Sequence, residues 1–336
     1  MGFSELFKSD KRIRKFSRND IKLQALGNGI SGYVELFQSK SDPDFYYAVK
    51  TYHCKEIYES KTEYRDRVLC EYNILSKLDH PNIIKVFKYD VSFSGTTVKF
   101  YMNAGTSNLS QLIKSIPEHK YNIQEMICIW RQLCEGVNYL HHKDICHRDL
   151  KLENLVFDIQ HSTLKIIDFA TAEQITKTKP YSVGIVGSEL YLAPETYSSI
   201  KYNGKKADIW SVGIILYYLI NRKYPWKSAR WSDPTYTAFK QENKVHSVEQ
   251  IKDGFPDPEF NDSGLEIGKA SVLRYLPFTA YELTSQIFES DPEKRIDIGE
   301  FYKYEWFNDI KYCHDNETCG INHEQLHREV KQIKSI

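Results

Sequence analysis

The first part of the chain alternates polar and apolar residues, and the remainder repeats apolar residues at helical spacing. Between residues 20 and 102 the segments IKLQALGNG and GYVELFQ alternate as half-buried strands do, and FYYAVKTY follows as a third strand. Apolar residues three and four apart predict helices over residues 60–78 and 124–142. The run DIWSVGIILYYLI at residues 208–220 is almost continuously apolar and predicts a buried helix. The pattern therefore predicts an α+β protein, with a strand-rich part followed by a larger helical part.

Composition and charge argue against several classes of protein. The 336 residues are 41% hydrophobic and 27% charged, which is ordinary for a globular chain with a core. Lys and Arg together number 45, as do Asp and Glu, and the resulting zero net charge argues against bulk binding to nucleic acid. No apolar run is long enough for a transmembrane span, and the N-terminus lacks the apolar stretch of a signal peptide. Seven scattered cysteines without CxxC spacing indicate a reducing compartment, and we expect a cytoplasmic protein.

A glycine-rich segment opens the strand-rich part. Gly27, Asn28, Gly29, Gly32 and Val34 belong to the pattern GxGxxGxV. A dinucleotide-binding fingerprint opens a helix after its last glycine, whereas GYVELFQ alternates like a strand. The segment therefore predicts a hairpin whose glycines let backbone amides approach phosphate groups. A plain hairpin turn without a ligand is the alternative.

The candidate chemistry lies in two short segments, HRDLKLEN at residues 147–154 and IIDFA at residues 166–170. These segments supply Asp149, Lys151, Asn154 and Asp168. Phosphoryl transfer from ATP needs these types of group: a carboxylate for the acceptor hydroxyl, a cation for the phosphate and oxygen ligands for magnesium. With these segments the sequence resembles a eukaryotic protein kinase catalytic domain.

The resemblance implies a bilobal α+β fold that binds ATP and Mg²⁺. It divides the chain into a basic lead-in at residues 1–19 and an N-lobe of antiparallel sheet with one helix at residues 20–102. A larger, mainly helical C-lobe follows at residues 103–308, and a C-terminal extension at residues 309–336.

The resemblance also assigns roles to the candidate residues. Asp149 accepts the proton of the substrate hydroxyl or orients that hydroxyl, and Lys151 neutralises charge on the transferred phosphate. Asn154 and Asp168 hold magnesium.

The implied nucleotide site has a phosphate-binding part and an adenine-binding part. Lys50, in the segment AVK, binds the α- and β-phosphates, and the flanking segments EYNIL and HPNI select Glu71 rather than Glu63 as its partner. Hydrophobic side chains enclose the adenine ring, and Tyr101 is the gatekeeper that precedes the hinge. The enclosing and hinge positions are Val34, Ala48, Val156, and Met102 to Ala104.

The segment GSELYLAPE resembles the substrate-docking loop of serine/threonine protein kinases, which kinases of small molecules lack. The resemblance implies hydrogen bonds of the Ser188 hydroxyl with both Asp149 and Lys151, and a buried ion pair between Glu195 and Arg295. Lys151 also distinguishes serine/threonine kinases from most tyrosine kinases. We therefore expect proteins as substrates.

Two further matches lie in the helical part. Asp208 and Trp210 match the DxW motif of the central kinase helix. The segment from Tyr224 to Phe239 resembles the fungal halotolerance and nitrogen-permease-reactivator kinases, which regulate plasma-membrane transporters. This resemblance implies signalling that controls transporters or ion and nutrient homeostasis, and it rests on family analogy.

Two positions depart from the kinase pattern. Ala170 replaces the glycine of DFG, whose backbone angles an alanine reaches only at a cost, so we expect activity with an altered preference between Asp-in and Asp-out arrangements. Arg148 corresponds to the residue that pairs with a phosphorylated activation loop, but the usual acceptor position is Gly184. Ser182 or Thr178 could substitute, or the loop could be ordered without phosphate; we favour activity without phosphorylation.

The C-terminal extension contains zinc-ligand residue types, Cys313, Cys319, His323 and His327. Their spacing fits no standard zinc finger, and we expect a helix that caps the large lobe instead.

A catalytically weak kinase-fold scaffold is the main alternative function. It requires the loss of Lys50, Asp149, Asn154 or Asp168, and all four are present. A dinucleotide-dependent oxidoreductase rests on the glycine-rich segment alone.

Overall fold

The structure is a computed structural model that describes residues 16–17, 19–29, 31–159, 161–241, 264–314, 318–323 and 325–335. Most of the predicted basic lead-in at residues 1–19 lies outside the described residues. The chain divides into two compact units. Unit 1 comprises Met1–Asn108, Val156–Ala170 and Glu324–Ile336, and unit 2 comprises Leu109–Leu155 and Thr171–His323.

Strands and helices follow one another along the described residues. The strands are β1 (Ile21–Asn28), β2 (Gly32–Ser39), β3 (Asp42–Tyr52), β4 (Val86–Val91), β5 (Val98–Asn103), β6 (Gly105–Asn108), β7 (Ile145–Cys146), β8 (Leu155–Asp158), β9 (Leu164–Ile166), β10 (Glu173–Gln174), β11 (Ser182–Val183) and β12 (Lys201–Tyr202). The helices are α1 (Lys61–Leu75), α2 (Leu109–Ser115), α3 (Ile123–His142), α4 (Glu195–Ser198), α5 (Gly204–Asn221), α6 (Pro234–Lys240), α7 (Ala270–Leu273), α8 (Tyr281–Ile287), α9 (Glu305–Asp309) and α10 (Arg328–Lys334).

Unit 1 is built on an antiparallel sheet with the strand order β1-β2-β3-β5-β4. Helix α1 begins with a capping box, in which the Ser60 hydroxyl accepts from the Glu63 amide and the Glu63 carboxylate accepts from the Ser60 amide. On the next turns of α1, Tyr64 accepts a hydrogen bond from the amide of Val98 on β5. The strands predicted from alternation and the helix predicted from helical spacing therefore form. Glu63 serves as a capping residue of that helix.

The C-terminal helix α10 also belongs to unit 1. Ile333 lies in a core cluster that includes Leu36 and Ala104, and the carboxylate of Glu329 accepts hydrogen bonds from the amide and hydroxyl of Ser107, both at 2.9 Å. The helix thus contacts Leu36 of the predicted N-lobe and also Ala104 and Ser107 of the range predicted as C-lobe. Capping of the larger lobe by this helix stays a prediction.

Unit 2 is organised around α3 and α5, as their apolar patterns predict. Every residue of α5 from 207 to 219 is buried, and the indole nitrogen of Trp130 on α3 donates to the carbonyl of Val212 at 3.0 Å. The mixed architecture of a sheet-based unit 1 and a helical unit 2 confirms the predicted α+β class. Within the described ranges, no helix combines the length and apolar character needed to cross a bilayer.

The segment from Tyr224 to Phe239 is mainly a packing element of unit 2. Trp226 stacks on Trp210 of α5 with ring centroids 5.6 Å apart, and Phe239 lies 5.1 Å from Trp226. Asp233 caps α6 and also accepts hydrogen bonds from the amides of residues 227 and 228. The aromatic residues of this segment therefore extend the core that surrounds α5.

Candidate active site

The glycine-rich segment forms the turn between β1 and β2, which pair in antiparallel fashion. The amide of Gly29 donates to the carbonyl of Gly32 at 2.9 Å and closes the turn. A Cβ atom at Gly32 would lie 2.2 Å from the carbonyl oxygen of Thr51, so the approach of β2 to β3 requires glycine there. A Cβ at Gly27 would meet no atom within 4 Å. The predicted hairpin is present, and the strand that follows it excludes a dinucleotide-binding fingerprint.

Lys50 lies in a buried charge cluster of unit 1. Its Nζ atom is 3.1 Å from both carboxylate oxygens of Glu71 and 3.3 Å from Oδ1 of Asp168. The hydroxyl of Tyr52 donates to Glu71 at 2.6 Å. Burial lowers the pKa of Lys50, but the charges and hydrogen bonds of Glu71 and Asp168 outweigh it, and the net result is a raised pKa. The site therefore holds a fixed cation that is already paired in the manner phosphoryl transfer requires.

Val34, Ala48 and Met102 of the candidate adenine-binding residues share one face of the sheet in unit 1. Val34 lies directly opposite Lys50, and Ala48 lies directly opposite Met102. Directly opposed residues project to the same face, as do residues two apart on one strand. Val156 lies outside this sheet, on β8 opposite Asn108 of β6, and its side chain packs against Gly105. An apolar face beside a lysine suits a base and its phosphates.

The assignment of Tyr101 as gatekeeper is wrong. Tyr101 lies opposite Val49, on the other face of the sheet, where its ring is 6.2 Å from that of Tyr47. Met102 is buried on the face that carries Lys50 and takes the gatekeeper position. A hinge that follows Met102 would comprise residues 103–105, and its contact with adenine stays a prediction. The alternation in VKFYMN predicts this face, because Met102 alternates in step with Val98 and Phe100, the other apolar residues of the strand that are buried.

The predicted catalytic residues of unit 2 meet in a triangle of polar side chains. Nζ of Lys151 lies 2.6 Å from Oδ2 of Asp149 and donates to the Ser188 hydroxyl at 2.9 Å. The Ser188 hydroxyl donates to the other carboxylate oxygen of Asp149 at 3.1 Å. The two hydrogen bonds implied for Ser188 are therefore present. They hold a carboxylate and a cation side by side with defined orientations.

Asp208 fixes the backbone of the catalytic loop. Its carboxylate, which is buried, accepts from the amides of His147 and Arg148, both at 2.8 Å. His141 approaches the same carboxylate at 2.9 Å. The DxW motif marked Asp208, but the sequence did not reveal that it anchors this loop. Because Arg148 adopts a left-handed φ of 67°, the loop needs such an external partner to keep its shape.

The two predicted magnesium ligands lie in different units. In unit 2 the side-chain amide nitrogen of Asn154 donates to the carbonyl of Asp149 at 2.8 Å, which leaves the amide oxygen as the atom that would bind a metal ion. In unit 1 the side chain of Asp168 is 38% exposed beside Lys50. Amide and carboxylate oxygens are the donors that Mg²⁺ prefers, so the residues fit this ion by chemistry.

Ala170 carries no left-handed backbone strain. The positive φ in the DFA segment falls on Asp168, at 62°, and not on Ala170. The cost expected for replacing the DFG glycine is therefore absent in this arrangement. An altered preference between Asp-in and Asp-out stays a prediction.

A buried ion pair clamps the docking segment of unit 2. Arg295 donates to both carboxylate oxygens of Glu195, at 2.6 and 2.9 Å, and both side chains are buried. This is the pair that the resemblance implied. Two parallel hydrogen bonds fix the orientation as well as the distance of the two groups.

Arg148 binds groups of the activation segment itself. Its Nε donates to the carbonyl of Thr171 at 2.8 Å, and its Nη1 lies 3.2 Å from the carboxylate of Glu173. Burial raises the pKa of Glu173, but hydrogen bonds from Lys179 and Ser182 and the charge of Arg148 outweigh it, and the pKa is lowered. The ionised carboxylate of Glu173 is therefore the anion that pairs with Arg148.

Comparison with known proteins agrees with this geometry. The protein kinase domain family matches residues 21–307. The chain is 30% identical to the serine/threonine-protein kinase PRR2 of Saccharomyces cerevisiae, over 95% of this chain and 46% of that protein. It is 31% identical to the nitrogen permease reactivator protein of the same yeast, over 89% of this chain and 40% of that protein. It is 32% identical to the serine/threonine-protein kinase SRK2F of Arabidopsis thaliana, over 92% of this chain and 80% of that protein.

These matches differ in how much of each relative they cover. The chain spans about half the length of the first fungal relatives it matches, whereas it spans most of the plant kinase. The residues that match the family, 21–307, contain the glycine hairpin, the catalytic loop and the docking segment. The chain belongs to the protein kinase domain family.

Proposed function

We propose that this chain transfers the γ-phosphate of ATP to serine and threonine side chains of proteins, with Mg²⁺ as cofactor. The triangle of Asp149, Lys151 and Ser188 is the observation that carries the proposal. It joins a proton acceptor and a cation through a hydroxyl of the docking segment, where protein substrates bind in this family. Kinases that act on small molecules lack the docking segment, and therefore lack the hydroxyl that Ser188 supplies here.

The reaction requires a defined movement of atoms. The substrate hydroxyl oxygen bonds to the γ-phosphorus, the bond from that phosphorus to the β–γ bridging oxygen breaks, and ADP leaves with the electron pair. Asp149 orients the hydroxyl and takes its proton, while Lys151 offsets the charge on the transferred group. When bound, Mg²⁺ neutralises charge on the phosphates. Asn154 and Asp168 supply oxygen donors of the kind it binds.

The arrangement of Lys50 favours an active kinase over a kinase-fold scaffold. An inactive protein has no need to keep Lys50 paired with both Glu71 and Asp168, because burying the charges of Lys50 and Glu71 costs free energy. The catalytic loop is likewise held in place by Asp208. Both observations support a catalytic function rather than a scaffold function.

The test of this proposal is phosphate transfer from labelled ATP and Mg²⁺ to a peptide array. The array carries matched peptides with serine, threonine or tyrosine as acceptor, and we expect label on the first two only. The purified chain is first treated with phosphatase, which is then removed. Absence of transfer together with tight ATP binding would favour the scaffold, and label on tyrosine would overturn the substrate class.

We also propose that the physiological substrates include plasma-membrane transporters or their regulators in the cytoplasm. Support comes from the similarity to a relative named nitrogen permease reactivator protein and from the segment between Tyr224 and Phe239. None of the seven cysteines, which all lie in the described residues, forms a disulfide, and this suits a reducing compartment. The same array tests this idea if it includes peptides that tile cytoplasmic segments of transporters. Labelling no stronger than that of composition-matched soluble peptides would contradict it.

Ser182→Ala is expected to retain kinase activity. The Ser182 side chain is fully buried in the β11–β12 pair, so it is not open to an upstream kinase in this arrangement. Arg148 already has the carboxylate of Glu173 as its anion. We expect kcat/KM within about threefold of wild type, at a stability cost of roughly 1 kcal/mol for the lost hydroxyl. The measurement is peptide phosphorylation by phosphatase-treated protein.

The matched variant for this experiment is Glu173→Gln. It removes the anion next to Arg148 while keeping the shape of the side chain, and we expect a clear loss of activity. Near-complete loss of activity in Ser182→Ala, with wild-type behaviour of Glu173→Gln, would show that phosphorylation at Ser182 orders the loop instead.

A further inference from the structure

Three cysteines and one histidine of unit 2 converge on one point. Cys128 lies on α3, and Cys313, Cys319 and His323 lie in the segment that follows α9. The three sulfur atoms and one ring nitrogen all lie within 4.8 Å of one another. Cys128 and Cys313 are buried, and the other two are partly buried. No catalytic or nucleotide-binding residue is part of this cluster.

The distances match those around a tetrahedral zinc ion. Zn–S bonds of about 2.3 Å and Zn–N bonds of about 2.0–2.1 Å place neighbouring ligand atoms roughly 3.5–3.8 Å apart in a tetrahedron. Cys313 and Cys319 have sulfurs 3.5 Å apart, and the sulfurs of Cys319 and Cys128 are 3.8 Å apart. The nitrogen Nε2 of His323 is 3.7, 3.4 and 3.1 Å from the sulfurs of Cys128, Cys313 and Cys319.

The surroundings of His323 and Cys128 support ligand roles. Nδ1 of His323 lies 3.4 Å from a carboxylate oxygen of the buried Glu125, while Nε2 faces the sulfurs. A carboxylate on the far nitrogen of a histidine fixes the ring and the tautomer that binds metal. The side-chain amide of Gln132 donates to the sulfur of Cys128 at 3.5 Å. Hydrogen bonds to ligand atoms of this kind are usual around zinc.

A disulfide does not explain the cluster. The sulfur atoms of Cys313 and Cys319 are 3.5 Å apart, whereas a disulfide requires about 2.05 Å. A disulfide would also leave Cys128 and His323 without a reason to lie against the pair. Four soft or borderline ligands at the corners of a tetrahedron are the donor set of structural zinc sites.

We propose that Cys128, Cys313, Cys319 and His323 bind one zinc ion, which fastens the segment after α9 to helix α3. All four positions are occupied by protein ligands, so the role is structural and no site is open for a substrate. The sequence alone did not reveal the site, because the fourth ligand, Cys128, lies in α3, far along the chain from the other three. The C-terminal extension by itself offers His327 as the fourth residue of a ligand type.

The test is the metal content of the full chain after purification in a thiol reductant without chelator. Mass spectrometry of the metal is expected to give about one zinc per chain. Cys128→Ala and His323→Gln are expected to lose at least about nine-tenths of it, because each removes one of four ligands. Titration of metal-stripped wild type with Co²⁺ gives a second readout, the visible absorption of tetrahedral cobalt bound to thiolates.

Two matched controls separate ligand loss from general damage. Cys134→Ala removes a buried cysteine six residues further along α3, and His327→Gln removes the histidine four residues after His323. Both are expected to keep the zinc. Wild type that contains no zinc and gives no cobalt–thiolate absorption would overturn the proposal, and so would equal zinc in all variants. Wild-type cobalt absorption upholds it even if a ligand variant fails to fold.

Discussion

Replacing Asp149 by asparagine is expected to lower the rate of peptide phosphorylation by about 10²–10⁴-fold, the range that a positioned proton acceptor supplies. Asparagine has nearly the same shape but cannot take the proton of the substrate hydroxyl. It also loses the charge that holds Lys151 at 2.6 Å, so the cation next to the transferred phosphate becomes less well placed. The loss should appear in kcat, because the substitution leaves the nucleotide-binding residues of unit 1 unchanged.

The measurement is steady-state transfer from labelled ATP, with ATP affinity determined separately by titration. Asp144→Asn is the matched control, since it makes the same chemical change five residues before Asp149. Asp144 is exposed, and in the described contacts its side chain pairs only with Lys205. We expect its rate to stay close to wild type. A rate for Asp149→Asn within tenfold of wild type would contradict the role assigned to this carboxylate, whatever the outcome for Asp144.

Features that a short segment determines could be predicted from the sequence. The catalytic loop places Asp149, Lys151 and Asn154 within six residues, so its local geometry follows from the segment itself. The glycine hairpin was recognisable because the strand period continues directly after it. The pairing of Lys50 with Glu71 rather than Glu63 also formed, since Glu63 is engaged in the capping box of α1.

Features that depend on contacts between distant segments could not be predicted in the same way. Cys128 and Cys319 are 191 residues apart, and no spacing rule connects a helix residue to a later loop. Helix α10 joined unit 1 because of contacts between Glu329 and Ser107 that local sequence does not specify.

Replacing Arg295 by alanine is expected to lower the free energy of unfolding by about 3–5 kcal/mol, because it leaves the buried carboxylate of Glu195 without its partner. The guanidinium also donates to the carbonyls of Glu289 and Lys206, at 2.7 and 2.8 Å, so four hydrogen bonds are lost together. Lysine cannot replace this planar group, and Arg295→Lys should recover little of the loss.

Urea unfolding followed by circular dichroism measures the effect of Arg295→Ala. Lys294→Ala is the matched control, since it removes a neighbouring cation that is largely exposed, and exposed pairs contribute only about 0–1 kcal/mol. The double variant Glu195→Gln with Arg295→Met should be more stable than Arg295→Ala, because neither change then leaves a charge buried alone. If the double variant is instead less stable than the single one, the cost lies in packing around Trp210 rather than in the unpaired carboxylate.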